Sequence, residues 1–197
     1  MIKVSYDMAV YRRHLDEIVR ENDVVVELGA HVGRSSLVIL DRLSEESTSR
    51  NPIRSLDDSI DLSDGYLISL DNSPEANEPM AEIAETYENF TFINDDVRLH
   101  DCLEKVARMI EKCDVLSIDL GGGYHPDTAF KVYYIWASTL KPRDTLIRNR
   151  GLVDFVNSSK TDEDISSDEG WLESCHSQGI PPQIKEFKLW TDKLDEK

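Results

Sequence analysis

Three consecutive valines, Val24-Val25-Val26, continue through Glu27-Leu28 into Gly29-Ala30-His31-Val32-Gly33, and a helical period restarts at Arg34 and runs to Leu43. A β-branched run without polar alternation suits a strand covered on both faces, as in parallel sheets. Parallel neighbours need a long crossover, usually a helix. Strand, glycine turn and helix in succession therefore point to an α/β architecture.

The alternation recurs downstream. Residues 66–71 (YLISLD) form a second apolar run ending in an aspartate, and Asn72-Ser73-Pro74-Glu75 opens a helix with proline near its first turn. Residues 90–94 (FTFIN) and 114–119 (DVLSID) are further strands. Between them, a helix over 101–112 carries Leu103, Val106, Ala107 and Ile110 on one stripe. A helix over 127–140 and a fifth strand over 145–148 follow. Upstream, Met8, Tyr11, Leu15, Ile18 and Val19 recur at helical spacing, so residues 6–21 read as an amphipathic helix. Residues 184–190 (IKEFKLW) alternate as a final antiparallel edge strand would. Right-handed crossovers place the carboxyl ends of the parallel strands on one edge, the usual ligand edge. Residues 44–64 interrupt the pattern as an acidic, polar insertion that reads as a lid helix or a surface loop. With 197 residues and no internal repeat, a single domain over 1–197 is expected.

Lysine and arginine number 22 against 39 aspartates and glutamates, a net charge of −17. That field repels nucleic-acid phosphate and anionic lipid at long range, so a small-molecule partner is favoured over RNA and no membrane partner is expected. Cys102, Cys113 and Cys175 are few and form no CxxC pair, which suits a reducing compartment. The first residues lack the apolar core of a signal peptide, and no apolar run approaches ~18 residues, so a cytoplasmic protein is expected.

The strongest local signal is Glu27-x-Gly29-x-x-x-Gly33 at a strand–helix junction. Gly29 permits a tight turn, and Gly33 permits close approach of helix and ligand. A dinucleotide fingerprint would read GxGxxG, and a phosphate loop would carry GKS or GKT; neither is present. The turn therefore favours a nucleoside without an obligatory pyrophosphate.

In order and spacing, VVVELGAHVG, YLISLD, FTFINDD, CDVLSIDLGGG and LKPRDTLIRNRG resemble the strand-end motifs of class I S-adenosylmethionine-dependent methyltransferases. The resemblance covers residues 6–151. It implies a three-layer α/β sandwich with a mostly parallel, seven-stranded Rossmann-like sheet, its last strand antiparallel. It also implies S-adenosyl-L-methionine as cofactor, with the backbone of Gly29, Ala30, His31 and Gly33 against the methionine part. Glu27 would orient that loop or the ammonium group. Asp71, with Asn72 beside it, matches the acid that accepts hydrogen bonds from both ribose hydroxyls, a task suited to an acceptor-only carboxylate. Asp95 or Asp96 matches the contact to the adenine amino group, with Val97 beside the ring, and Asp119 sits where family members approach the transferred methyl. Each acid also has a structural reading: Asp71, Asp95 and Asp96 as helix-start residues, and Glu27 as a cap for neighbouring amides.

Two departures stand out. His31 replaces a glycine common in the family, and the 44–64 insertion lengthens the path from Gly33 to Asp71. The insertion could cover the cofactor or shape a homodimer contact. Asp119-Leu120-Gly121-Gly122-Gly123-Tyr124-His125-Pro126 lacks the Asn/Asp-Pro-Pro-aromatic signature of members that methylate adenine, cytosine or glutamine amino groups. Tyr124 and His125 are candidate substrate contacts, and Asp119 and His125 candidate general bases. Arg148 and Arg150 share parity, so they point to one side of a strand, and their planar forks suit a carboxylate or phosphate on a small anionic acceptor. Asp119 and Asn149 match two positions of metal-dependent members, but Arg148 replaces the usual second acid; a cation beside a hard metal makes a poor site, and no metal is expected. Phe130, Tyr133, Tyr134 and Trp136 read as packing against the sheet. Besides methyl transfer, an aminopropyl-transferase type of activity and a non-catalytic cofactor-binding role are alternatives, and RNA stays open as an acceptor.

Overall fold

The computed structural model describes residues 1–44, 62, 65–161 and 167–172. Among these, the strands are β1 (Ile2–Ser5), β2 (Val24–Leu28), β3 (Tyr66–Asp71), β4 (Phe90–Asn94), β5 (Val115–Ile118) and β6 (Asp144–Arg148). The helices are α1 (Met8–Ile18), α2 (Arg34–Leu43), α3 (Asn77–Thr86), α4 (His100–Met109), α5 (Pro126–Leu140) and α6 (Arg150–Ser158). The strands form one sheet in the order β1-β6-β5-β2-β3-β4, and every neighbouring pair is parallel. The order reverses between β2 and β5, which opens a crevice at the carboxyl ends of those two strands.

Residue parity along the strands explains the three layers. Val25, Leu67, Val115 and Leu146 face α1, α2 and α3, packing with Leu15, Leu40 and Met80. Val24, Val26, Ile68, Leu116 and Ile147 face the opposite side and pack with Leu103 and Val106 of α4 and Val132 and Trp136 of α5. Both sheet faces are covered, as the apolar residues of both parities in β2 and β5 require. Burying each such aliphatic side chain contributes about 1.5–3 kcal/mol. Inside the first layer, the Tyr11 hydroxyl of α1 meets the Ser117 hydroxyl of β5 at 2.5 Å, which satisfies both buried polar groups and fixes α1 on the sheet.

Two elements differ from the sequence reading. Ile2–Ser5 forms β1, parallel to β6 with Ile2 opposite Thr145, where the sequence offered only four residues of mixed character. Arg150 opens α6 instead of extending β6, because the Asn149 side chain caps a helix by accepting the Leu152 amide at 3.0 Å. Arg148 and Arg150 thus do not share a strand face. Of the insertion, Ser44 and Leu62 are described, while the lid expected over 55–62 otherwise lies outside the described residues, as does the antiparallel strand expected at 184–190. Trp136 and Tyr133 are buried in the core as expected for packing, while Phe130 on the same helix is exposed.

Candidate active site

The crevice at the switch point deepens into a cleft of about 1090 Å³. Small-molecule sites run to about 300–1,000 Å³, so the cleft has room for a nucleoside and a second small molecule. Its walls are the ends of the strands. The Gly29–His31 turn follows β2, Asp71 and Asn72 end β3, Asp95–Val97 follow β4, and Asp119–Gly122 follow β5, with His125 and Arg148 completing the far side.

Backbone hydrogen bonds tie these pieces together. The amides of Gly29 and Ala30 both donate to the Leu70 carbonyl, at 2.8 and 3.2 Å, and the Asp119 amide donates to the Leu28 carbonyl at 2.9 Å. Gly29 has φ +92°, and a β-carbon there would lie 2.1 Å from the Asp119 carbonyl oxygen. Only glycine lets β2 and β5 end this close together. Gly33 serves the scaffold: a β-carbon would lie 2.3 Å from Cδ1 of Ile83 on α3, and the residue does not line the cleft.

Asp71 accepts the His31 amide on Oδ2 at 2.8 Å and the Ser73 amide on Oδ1 at 2.7 Å. Each carboxylate oxygen offers about two acceptor sites, so one stays open on each, and Asp71 lines the cleft. His31 takes the left-handed conformation, φ +48°, at the position where the resemblance suggests glycine. Its bond to Asp71 compensates that backbone strain.

Asp96 is gripped by Arg98, whose Nε reaches Oδ1 at 2.9 Å and whose Nη2 reaches Oδ2 at 2.5 Å. Burial alone would push this carboxyl up, but the Arg98 bonds outweigh it and hold it below the usual range. Asp95 pairs with the Lys105 ammonium. The Val97 carbonyl accepts from Trp136 Nε1 at 2.9 Å, so α5 anchors this wall from behind.

On the opposite wall, Arg148 Nη1 donates to Asp119 Oδ1 at 2.7 Å and Nη2 to the Gly122 carbonyl at 3.1 Å. Burial raises the Asp119 carboxyl above its ordinary value, against the pull of Arg148, Arg12 and His31. His125 starts α5 in the left-handed conformation and lines the cleft.

Besides Gly33, three more sequence candidates sit elsewhere. Glu27 is 1% exposed beneath the turn, its Oε2 accepting from Ser36 at 2.5 Å and Ser69 at 2.6 Å while Oε1 is buried without a partner among the described residues. Tyr124 is 58% exposed and does not line the cleft. Arg150 lies between the Tyr6 and Tyr124 rings, 5.1 and 5.4 Å from their centroids, and also stands outside it. Asn149 is consumed by the α6 cap and by a 2.7 Å bond to the Tyr124 carbonyl. Conversely, Arg12 and Arg34 line the cleft although the sequence places both among ordinary charged helix positions.

Burial raises the Glu27 carboxyl to about 7, against the two serine bonds that lower it. The unfolded chain releases this proton near 4.5, so between 4.5 and 7 the folded protein binds more protons than the unfolded one. Stability attributable to Glu27 therefore falls as pH rises through that window and levels off above it. Glu27→Gln is expected to flatten this part of the profile. Denaturant midpoints from pH 4 to 8 check this, and parallel profiles for the two proteins would show that folding does not raise the Glu27 carboxyl.

No protein-family model and no curated protein matches the chain. Among solved structures, it is similar to an rRNA methylase from Streptococcus thermophilus, with a TM-score of 0.50 and 12% identity over 79% of this chain and 81% of that one. It is also similar to Aeropyrum pernix fibrillarin with bound S-adenosyl-L-methionine (TM-score 0.47, 17% identity, 71% of this chain and 52% of that one). A third similar structure is the Burkholderia thailandensis 1,6-didemethyltoxoflavin-N1-methyltransferase (TM-score 0.43, 18% identity, 70% and 51%). The chain spans about half the length of these last two. Parallel strands reversing direction of order at β2 and β5, a glycine turn after β2 and the Streptococcus thermophilus likeness agree: this chain has the class I methyltransferase fold.

Proposed function

We propose that the chain is an S-adenosylmethionine-dependent methyltransferase. The observation that carries this reading is the Gly29 turn bonded to the end of β3, with the Asp71 carboxylate and the Asp119 carboxylate opening into the same cleft. The open acceptor sites of Asp71 suit the paired hydroxyls of a ribose, and glycine at residue 29 lets the Asp119 end of β5 sit directly beside the turn, since a β-carbon there would lie 2.1 Å from the Asp119 carbonyl oxygen. Asp95 or Asp96 and the Val97 backbone form the adenine wall, and the Gly29–His31 backbone lies along the methionine part. When bound, S-adenosylmethionine supplies a methyl carbon made electrophilic by its sulfonium.

The chain's own residues then have three tasks. The strand ends hold the acceptor in line with the sulfur, which turns a bimolecular encounter into an oriented one. The walls exclude water. Asp119, whose carboxyl burial has raised, takes a proton from an acceptor that arrives protonated, with His125 the second candidate on the same wall. Calorimetry with S-adenosylhomocysteine tests the reading: a single saturable site is expected, and no heat of binding to folded protein would overturn it.

Arg148 holds Asp119 in place. Removing the guanidinium leaves a largely buried carboxylate without its cation, so Arg148→Gln is expected to raise the Asp119 pKa further and to cost about 1–3 kcal/mol of stability. Carboxyl carbon chemical shifts followed through a pH titration measure the first effect, and urea unfolding the second. An Asp119 titration that does not move would show that the pair contributes nothing to the state of the acid.

A further inference from the structure

Four carboxylates line the cleft, and each already has its partners: two backbone amides at Asp71, Lys105 at Asp95, Arg98 at Asp96 and Arg148 at Asp119. Two lining arginines are left over. Among the described residues, Arg12 gives one long hydrogen bond, from Nε to Ser35 Oγ at 3.4 Å, and neither Arg12 nor Arg34 is in an ion pair, although Arg12 acts on Asp119 at longer range. The four lining arginines equal the four lining carboxylates in number, whereas the whole chain has 39 acidic and 22 basic residues, so positive charge is concentrated in this cleft relative to the composition.

The position of Arg34 sharpens the point. It is the first residue of α2, whose first turn holds no acid and whose amino end has no side-chain cap. A cation there faces the positive end of the helix dipole, an unfavourable arrangement unless an anion sits between them. His31 also lines the cleft.

We propose that Arg12 and Arg34 form an anion subsite at the α1–α2 end of the cleft, which takes the carboxylate or phosphate of the methyl acceptor. This rests on the methyltransferase reading for the identity of the acceptor, although the subsite itself does not. Arg12 comes from α1, which packs on α2 and β6, and both Arg12 and His31 act on Asp119 electrostatically. The subsite therefore adjoins the transfer position. Asp95–Val97, which follow β4, lie at the opposite end of the strand order. Arginine forks suit either oxyanion, so the ligand chemistry is a small oxyanion.

The test is calorimetry on the full chain and on the Arg12→Gln/Arg34→Gln double variant. Inorganic phosphate and succinate are titrated into each protein, free and loaded with S-adenosylhomocysteine. Wild-type loaded protein is expected to bind one of the two oxyanions, which identifies phosphate or carboxylate as the preferred group. The double variant is expected to lose at least about tenfold of that affinity while its S-adenosylhomocysteine affinity moves less than about threefold. Oxyanion binding that is absent from wild type, or unchanged in the variant, overturns the subsite. A tenfold loss of S-adenosylhomocysteine affinity, with 5′-methylthioadenosine (which lacks the amino-acid carboxylate) bound equally by both proteins, overturns the assignment to the acceptor. Failure of wild type to bind S-adenosylhomocysteine would sink the methyltransferase reading instead, and the titrations of free protein would still decide the subsite.

Discussion

Gly29→Ala should lose about 3–5 kcal/mol of stability, a large part of what holds a domain of this size together. Two penalties combine at this residue. The φ of +92° is strained for any side chain, and the new β-carbon would sit 2.1 Å from a backbone oxygen that cannot swing aside. Gly122→Ala is the control: it has φ +67° but nothing within 4 Å of its β-carbon, so it should cost only about 1–2 kcal/mol. Urea unfolding of both variants separates steric closure from backbone strain. Equal losses would mean that the strand ends can spread, and that glycine is not what keeps β2 and β5 together.

Asp71→Ala should weaken S-adenosylhomocysteine binding about 10–100-fold, which corresponds to ~1.4–3 kcal/mol for hydrogen bonds to a charged acceptor. The loss has two origins. The diol of the ligand loses its acceptor, and the amides of His31 and Ser73 lose theirs, so the turn that shapes the cleft is released as well. Asp71→Asn retains one carbonyl oxygen and should fall between wild type and alanine. Calorimetry on variants with unaltered circular dichroism decides the matter. Affinity within twofold of wild type would remove Asp71 from the binding site and leave it as the brace of the glycine turn.

Much of the fold was legible because apolar runs with β-branched residues have few alternatives. Val24–Leu28, Tyr66–Asp71 and Phe90–Asn94 form strands over the residues that their apolar character marks. β1 escaped because an edge strand of four residues, three of them half-covered, carries little pattern, and its pairing with β6 bridges most of the described chain. α6 escaped because Asn149-Arg150-Gly151 looks like the end of a strand, whereas the asparagine amide turns the chain into a helix. The carboxylates of the cleft were legible for a topological reason: residues that end parallel strands must gather on one edge, so Asp71, Asp95 and Asp119 come together wherever the helices lie. Arg12 was not legible, since on a helix of alternating charge it looks like any solvated side chain until α1 is docked. Arg34 did leave a trace, a cation on the first turn of a helix, where the dipole disfavours it. The partners that absorb Glu27, Ser36 and Ser69, come from an adjoining helix and strand, and no local spacing announces them.

The bond from Trp136 to the Val97 carbonyl has a mechanical consequence. α5 begins at the glycine-rich side of the cleft and grips the far wall through an indole three turns later, so this fifteen-residue rod spans both compartments. A tilt that widened one mouth would drag on the other. Arrival of either guest should therefore stiffen the berth of its companion, and the two ought to be held more firmly together than apart.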